Sequence, residues 1–188
     1  MAKDYASLPV NAVRRKDRQE DDEWILNFLL TAPYGALATV HDGQPFINSN
    51  LFVYDPDAHA IFFHTAHVGR TRANVDAVVG GIPACFSAFS MGRMLPAKEA
   101  LEFSVEYEGV MAFGKVNVVA EDELASCALQ LLLDKYAPHL RPGRDYRPIT
   151  PEELKRTAVF RLDVTSWSGK RKEVDSEFPG AYRYAAGN

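Results

Sequence analysis

Polar and apolar positions along the chain change period several times, and each change marks an element. Between Asp17 and Leu30 the acids come early, and Trp24, Ile25, Phe28 and Leu29 recur at helical spacing before Pro33 and Gly35, which predicts one amphipathic helix. From Gly35 the period falls to that of a strand. Gly35–Val40 and Phe46–Tyr54 flank a turn at His41-Asp42-Gly43-Gln44, and Asp-Gly is a strong hairpin signal. Asp55-Pro56-Asp57 turns the chain into Ala60–Thr65, so three antiparallel strands in meander order are expected.

A loop over Ala66–Gly69 then leads into a short helix that Gly80-Gly81 ends. Ile82–Phe89 reads as a strand, Met91–Lys98 as a loop, and Leu101–Val119 as a long extended stretch. Phe103, Val105 and Tyr107 share one face of that stretch and Glu102, Glu106 and Glu108 the other, but Val110-Met111-Ala112-Phe113 is apolar on both, as a barrel wall against a partner would be. Glu121–Tyr136 is a helix with Leu124, Ala128, Leu131 and Leu132 on its buried stripe. Pro138–Pro151 is a surface connection, and Thr150-Pro151-Glu152-Glu153 has the form of a capping box. The last strand alternates through Ala158, Phe160, Leu162 and Val164 and ends at Trp167-Ser168-Gly169-Lys170. About six strands with few helices predict a mainly β (α+β) fold, a closed or nearly closed antiparallel barrel.

Composition narrows the class. The 188 residues suit one domain over 1–188, with an N-terminal arm at 1–15 and a C-terminal tail at 171–188. The formal net charge of -4 leaves no broad basic surface for nucleic acid or anionic lipid, so an anion site must be local. No run approaches the eighteen apolar residues of a membrane span, and the first apolar run follows the charged stretch Arg14–Glu23 rather than forming a secretory core. Cys85 and Cys127 are the only cysteines and form no C-x-x-C pair, so a cytoplasmic location is expected.

Three groups of residues could carry chemistry. His64-Thr65 at a strand end, followed by Gly69-Arg70-Thr71-Arg72 at a helix start, offers amide, hydroxyl and guanidinium groups suited to a phosphate; the plainer reading is a solvated short helix. Asn48 and Ser49 could orient a flat heteroaromatic ligand at a barrel mouth or be satisfied polar groups near a turn. Trp167 and Lys170 could cover a ring and balance negative charge on it, or be an edge tryptophan and a solvated lysine. His64 and His67 form H-x-x-H, but this loop spacing without an adjacent carboxylate ligand argues against a zinc site. No nucleophile elbow, Walker A loop or dinucleotide fingerprint is present.

With those residues in place, the chain resembles the pyridoxamine 5′-phosphate oxidase-like split-barrel flavoproteins, most closely their 5-nitroimidazole-resistance branch. The matching stretches are Ile61-Phe62-Phe63-His64-Thr65 with Gly69-Arg70-Thr71-Arg72-Ala73-Asn74, then Leu101–Tyr107 with Val110–Gly114, and Leu154–Val159 with Trp167–Lys170. The resemblance implies a six-stranded antiparallel split β-barrel with flanking helices, and a homodimer with two FMN sites at the subunit interface. It implies Thr65, Gly69, Arg70 and Arg72 around the FMN phosphate, Asn48 and Ser49 near the isoalloxazine, and Trp167 and Lys170 near the ring from either subunit. His64 matches a histidine beside the flavin and becomes the catalytic candidate on the substrate side. The implied activity is FMN-dependent oxidoreduction of a small electron-poor substrate; the alternative is a non-catalytic protein holding flavin, deazaflavin or haem. The ending lacks the Arg-Leu-x-Pro of the true pyridoxamine phosphate oxidases, which argues against vitamin B6 synthesis.

Overall fold

Among the described residues nine strands form one antiparallel sheet, and the two strands that end its main path are consecutive in the chain. The computed structural model describes residues 4–184; residues 1–3 of the expected arm and 185–188 of the expected tail lie outside the described residues. In order the elements are β1 (Gln19–Glu20), α1 (Asp22–Thr31), β2 (Gly35–His41), β3 (Gln44–Asn50), β4 (Val53–Asp55), β5 (Ala60–Ala66), α2 (Arg70–Asp76), β6 (Ile82–Leu95), β7 (Ser104–Val118), α3 (Asp122–Tyr136), α4 (Pro151–Leu154), β8 (Thr157–Lys172) and β9 (Tyr182–Arg183).

The hairpin at Asp42-Gly43 forms as expected, with both residues at positive φ and His41 opposite Gln44. The meander does not. The strand expected over Phe46–Tyr54 breaks at Leu51-Phe52, and its halves sit at opposite ends of the path β3-β2-β6-β7-β8-β5-β4. Three peptide units span at most about 11 Å, so the sheet must curl until its ends lie side by side. A mainly antiparallel sheet rolled in this way is consistent with a split barrel, although it holds nine strands where six were expected.

Three other differences have local causes. α1 starts at Asp22, not Asp17, because Asp21 Oδ1 caps it by accepting from Trp24 N at 2.9 Å while Gln19 and Glu20 pair with β8. β6 continues through the expected loop to Leu95, with a bulge between Met91 and Met94 that Gly92 accommodates. The tail beyond Lys172 folds back: β9 pairs with β6, and Arg93 donates to the carbonyls of Val174, Asp175 and Ser176.

β5 is covered on both sides. Ile61 and Phe63 join the barrel core, where Phe63 stacks on Phe160 at 5.1 Å, while Ala60 and Phe62 join a second core under α3 with Ala125, Ala128 and Leu132. That is why the segment reads as an unbroken apolar run rather than an alternation. Leu131, placed on the α3 stripe by spacing, is exposed instead, with Ala125 in the buried set. Along β7, Val110 and Ala112 are buried while Met111 is exposed and Phe113 half-buried.

Candidate functional site at the end of strand 5

His64 and Thr65 immediately precede Ala66, the last residue of β5, and the strand pleat sends their side chains to opposite faces. Thr65 continues the barrel face of Ile61 and Phe63, and its hydroxyl donates to Ala66 O at 2.8 Å. His64 continues the α3 face of Phe62.

Beyond Thr65 the chain turns at Gly69, whose φ of +145° is a conformation that favours glycine, and a Cβ there would meet nothing within 4 Å. This open space lies at the start of α2. The helix is held by Thr71, Asn74 and Val75, all buried, with Asn74 Nδ2 donating to Thr39 Oγ1 at 3.0 Å. Asn74 Oδ1 is the one buried side-chain polar atom without a partner among the described residues. The two arginines on either side of Thr71 differ. Arg72 donates to Asp76 Oδ2 at 2.6 Å and approaches His67 Nδ1 at 3.2 Å, whereas Arg70 is exposed and makes no hydrogen bond or ion pair among the described residues. Positions two apart on a helix do not share a face, so both guanidinium groups reach one phosphate only if Arg72 leaves Asp76.

On β3, Asn48 and Asn50 bond to each other on the half-buried face, Asn48 Nδ2 donating to Asn50 Oδ1 at 3.1 Å. Ser49 and Ile47 face outward. Val53 lies opposite Phe62; that register, continued across the break, carries Asn50 and Leu51 toward Thr65 and His64. Leu51 and His64 indeed line one cleft.

Trp167 and Lys170 lie elsewhere. Thr65 is opposite Ala158 on β8, and nine further residues of strand put Trp167 about 25–30 Å away. The indole is already engaged: Trp167 Nε1 donates to Asp22 Oδ1 at 2.6 Å, and the ring packs against His59 at 4.7 Å and Tyr54 at 5.8 Å. Lys170 lies on the outer face, in register with Gly109 and Phe89.

Sequence reasoning missed the cleft of about 790 Å³ into which His64 opens, between α3, the 137–149 connection, α4 and the start of β8. Loss of water to the cleft wall lowers the His64 pKa from its ordinary value. The signal in sequence was faint, a few apolar residues such as Leu140 and Ile149 within a polar, Pro-rich connection.

A family profile described as pyridoxamine 5′-phosphate oxidase matches residues 21–171. No curated protein matches the chain in sequence. Among solved structures, an FAD- and haem-binding protein from Mycobacterium smegmatis is 26% identical, over 84% of this chain and 74% of that one, with a TM-score of 0.71. A flavocytochrome from Azotobacter vinelandii is 20% identical, over 94% and 85%, with a TM-score of 0.73. A proposed 5-nitroimidazole antibiotic resistance protein from Bacteroides thetaiotaomicron is 18% identical, over 81% and 84%, with a TM-score of 0.64.

Proposed function

Because the chain belongs to the pyridoxamine 5′-phosphate oxidase family, we propose that it is a flavin-binding oxidoreductase, in the form of a homodimeric six-stranded split barrel that takes FMN. The observation that carries this reading is the unpartnered Arg70 beside the open space at Gly69, one turn of loop beyond the Thr65 hydroxyl, in a chain whose net charge is -4. That donor set fits a phosphate: a guanidinium for charge, a hydroxyl for a short bond and a glycine that leaves room. Ser49 approaches the ring from the outer face of β3, with Asn48 on the opposite face supporting the strand through Asn50, and Arg72 joins the phosphate by exchanging Asp76 for it. When bound, the flavin supplies two-electron transfer to a small electron-poor substrate such as a nitroaromatic.

The dimer reading rests on the outer face of the sheet. Ile47, Phe89 and Met111 are exposed there, around small residues Ala36, Ala38, Ser87 and Gly109 that let another surface approach closely. The distance between Thr65 and Lys170 within one chain supports Lys170 reaching the ring from the partner, whereas the bonds of Trp167 favour a packing role for it. His64, on the α3 side of β5, acts on the substrate side. The test is the visible spectrum of the purified protein after incubation with FMN, FAD or haemin, then anaerobic reduction by NAD(P)H and reoxidation by a nitroimidazole. A colourless protein that takes up no flavin overturns the reading, and reoxidation no faster than that of free flavin makes the protein a carrier.

A further inference from the structure

The cleft beside His64 has a chemistry of its own. Its wall is apolar through Leu51, Leu129, Leu132, Leu133, Leu140 and Ile149. Most of its polar groups are already satisfied. Tyr136 OH donates to Pro33 O at 2.8 Å and accepts from Phe52 N at 3.1 Å, and Tyr146 OH accepts from Gln130 at 2.8 Å. Arg147 pairs with Glu153 at 3.0 Å, and Glu153 also accepts from Thr150 N at 2.9 Å. The 137–149 wall is itself fixed, by Gly143 N on Tyr146 O at 2.7 Å and by Arg141 N on Asp145 Oδ2 at 2.8 Å. Three cleft-lining side chains remain without a hydrogen bond or ion pair among the described residues, His64, Arg156 and the Thr157 hydroxyl. Glu153 pairs with Arg147 and also feels the charge of Arg156, so the ionised side chains of the wall sum to one positive charge, and Arg156 is the guanidinium without a bonded carboxylate.

We propose that this cleft binds a small amphiphile with an apolar body and a single carboxylate, the carboxylate paired with Arg156 and the body laid along α3. The cleft volume lies within the range that holds a drug-sized ligand. A guanidinium takes a carboxylate in two parallel bonds; Arg156 is exposed, and a wall whose charges sum to +1 with the Glu153 carboxylate among them disfavours multiply charged anions such as nucleotides. His64 stands two residues from Ala66, which faces Thr157 at the same end of the cleft, and offers a bond without adding charge at neutral pH. Because His64 and Thr65 face opposite ways, this site stands apart from the flavin phosphate residues.

The test is displacement of 1-anilinonaphthalene-8-sulfonate, followed by its fluorescence, using decanoate and decanol, which differ in the head group alone. Decanoate should compete at about tenfold lower concentration than decanol, the worth of one charge-assisted bond. Arg156→Ala should remove the preference, Arg156→Lys should retain most of it, and Leu133→Trp should weaken both competitors by filling the cleft. The Arg70→Ala protein, depleted of flavin, should keep it, so failure of the flavin reading leaves this result intact. Equal competition by the two compounds, or a preference that survives Arg156→Ala, overturns the proposal. So does haemin binding with a Soret band that His64→Ala abolishes and decanoate fails to reduce, which assigns the cleft to a tetrapyrrole.

Discussion

Arg72 Nε sits 2.6 Å from Asp76 Oδ2, one helical turn away, while Arg70 at the head of the same helix has no partner among the described residues. Two arginines that look alike in sequence therefore start from different states. A phosphate that recruits Arg70 gains a new charge-assisted bond; one that recruits Arg72 must break a bond first. Arg70→Ala should weaken FMN binding by about tenfold to a hundredfold, the loss of roughly 1.5–3 kcal/mol, and Arg72→Ala by several times less. Quenching of flavin fluorescence on titration reads both. Equal losses would mean that the Asp76 bond does not compete.

Glu106 accepts from Arg93 at Nε, NH2 and backbone N, and from Val174 N, which ties the C-terminal segment to β6 and β7. The Arg93 guanidinium and these backbone amides hold its carboxyl pKa at about 2, below its ordinary 4.5. A lowered carboxylate pKa stabilises the fold above the ordinary value and loses that contribution as pH falls from 4.5 toward 2. Hydrogen exchange at Val174–Glu177 should stay slow at pH 6 and accelerate selectively below pH 4, after correction for the intrinsic rate. Glu106→Gln should show fast exchange already at pH 6, and slow exchange in that variant would deny the carboxylate its role.

Lys135 lies over the Phe52 ring at 4.0 Å and donates to Leu29 O at 3.3 Å, and burial lowers its pKa to about 8. Below pH 8 the fold carries a partly desolvated charge that the unfolded chain holds in water. Between pH 8 and 10.5 the unfolded chain binds more protons than the native one, so this group makes stability rise with pH. Lys135→Met should raise Tm at pH 7, with a gain that shrinks toward pH 10.5. A lower Tm at pH 7 would show that the ring contact outweighs desolvation.

Tyr136 OH fastens the break between β3 and β4, bonding Phe52 N, Phe52 O at 3.0 Å and Pro33 O. Tyr136→Phe leaves buried backbone groups without that partner and should cost about 1–3 kcal/mol in urea unfolding. A change under about 0.5 kcal/mol, the range of ordinary surface substitutions, would show that the break holds without it.

Ser87 lies between Ala36 and Met111 in one cross-strand row of the outer face. Ser87→Arg should convert the proposed dimer to monomer in analytical ultracentrifugation and lower flavin content with it, while Arg70→Ala should remain dimeric. A dimer that persists in Ser87→Arg would place the interface elsewhere.

The local grammar of the fold was legible. Asp42-Gly43 and the Thr150–Glu153 box each combine a backbone requirement with residues that meet it, and each formed; α3 formed too, with Ala125 in place of Leu131 on its buried stripe. The β3/β4 break was not, because alternation runs through Leu51 and Phe52 unchanged and only sheet closure interrupts it. Gly92 read as a loop since a bulge and a turn recruit the same residue. At the candidate site, spacing groups Thr65, Gly69 and Arg70 but does not separate Arg70 from Arg72, because only helical geometry brings Asp76 onto Arg72. The cleft joins Leu51, Leu132 and Arg156, whose separations exceed any local pattern.

The central place of β8 bears on how the chain is made. It is the last long strand in the sequence yet pairs with β7 on one side and β5 on the other, and its far end holds β1. A ribosome releasing this chain exposes the β4–β5 pair and the edge of β7 before the strand between them exists. The barrel therefore closes only after β8 itself has been made, and until then the nascent edges of β5 and β7 depend on chaperones or on speed.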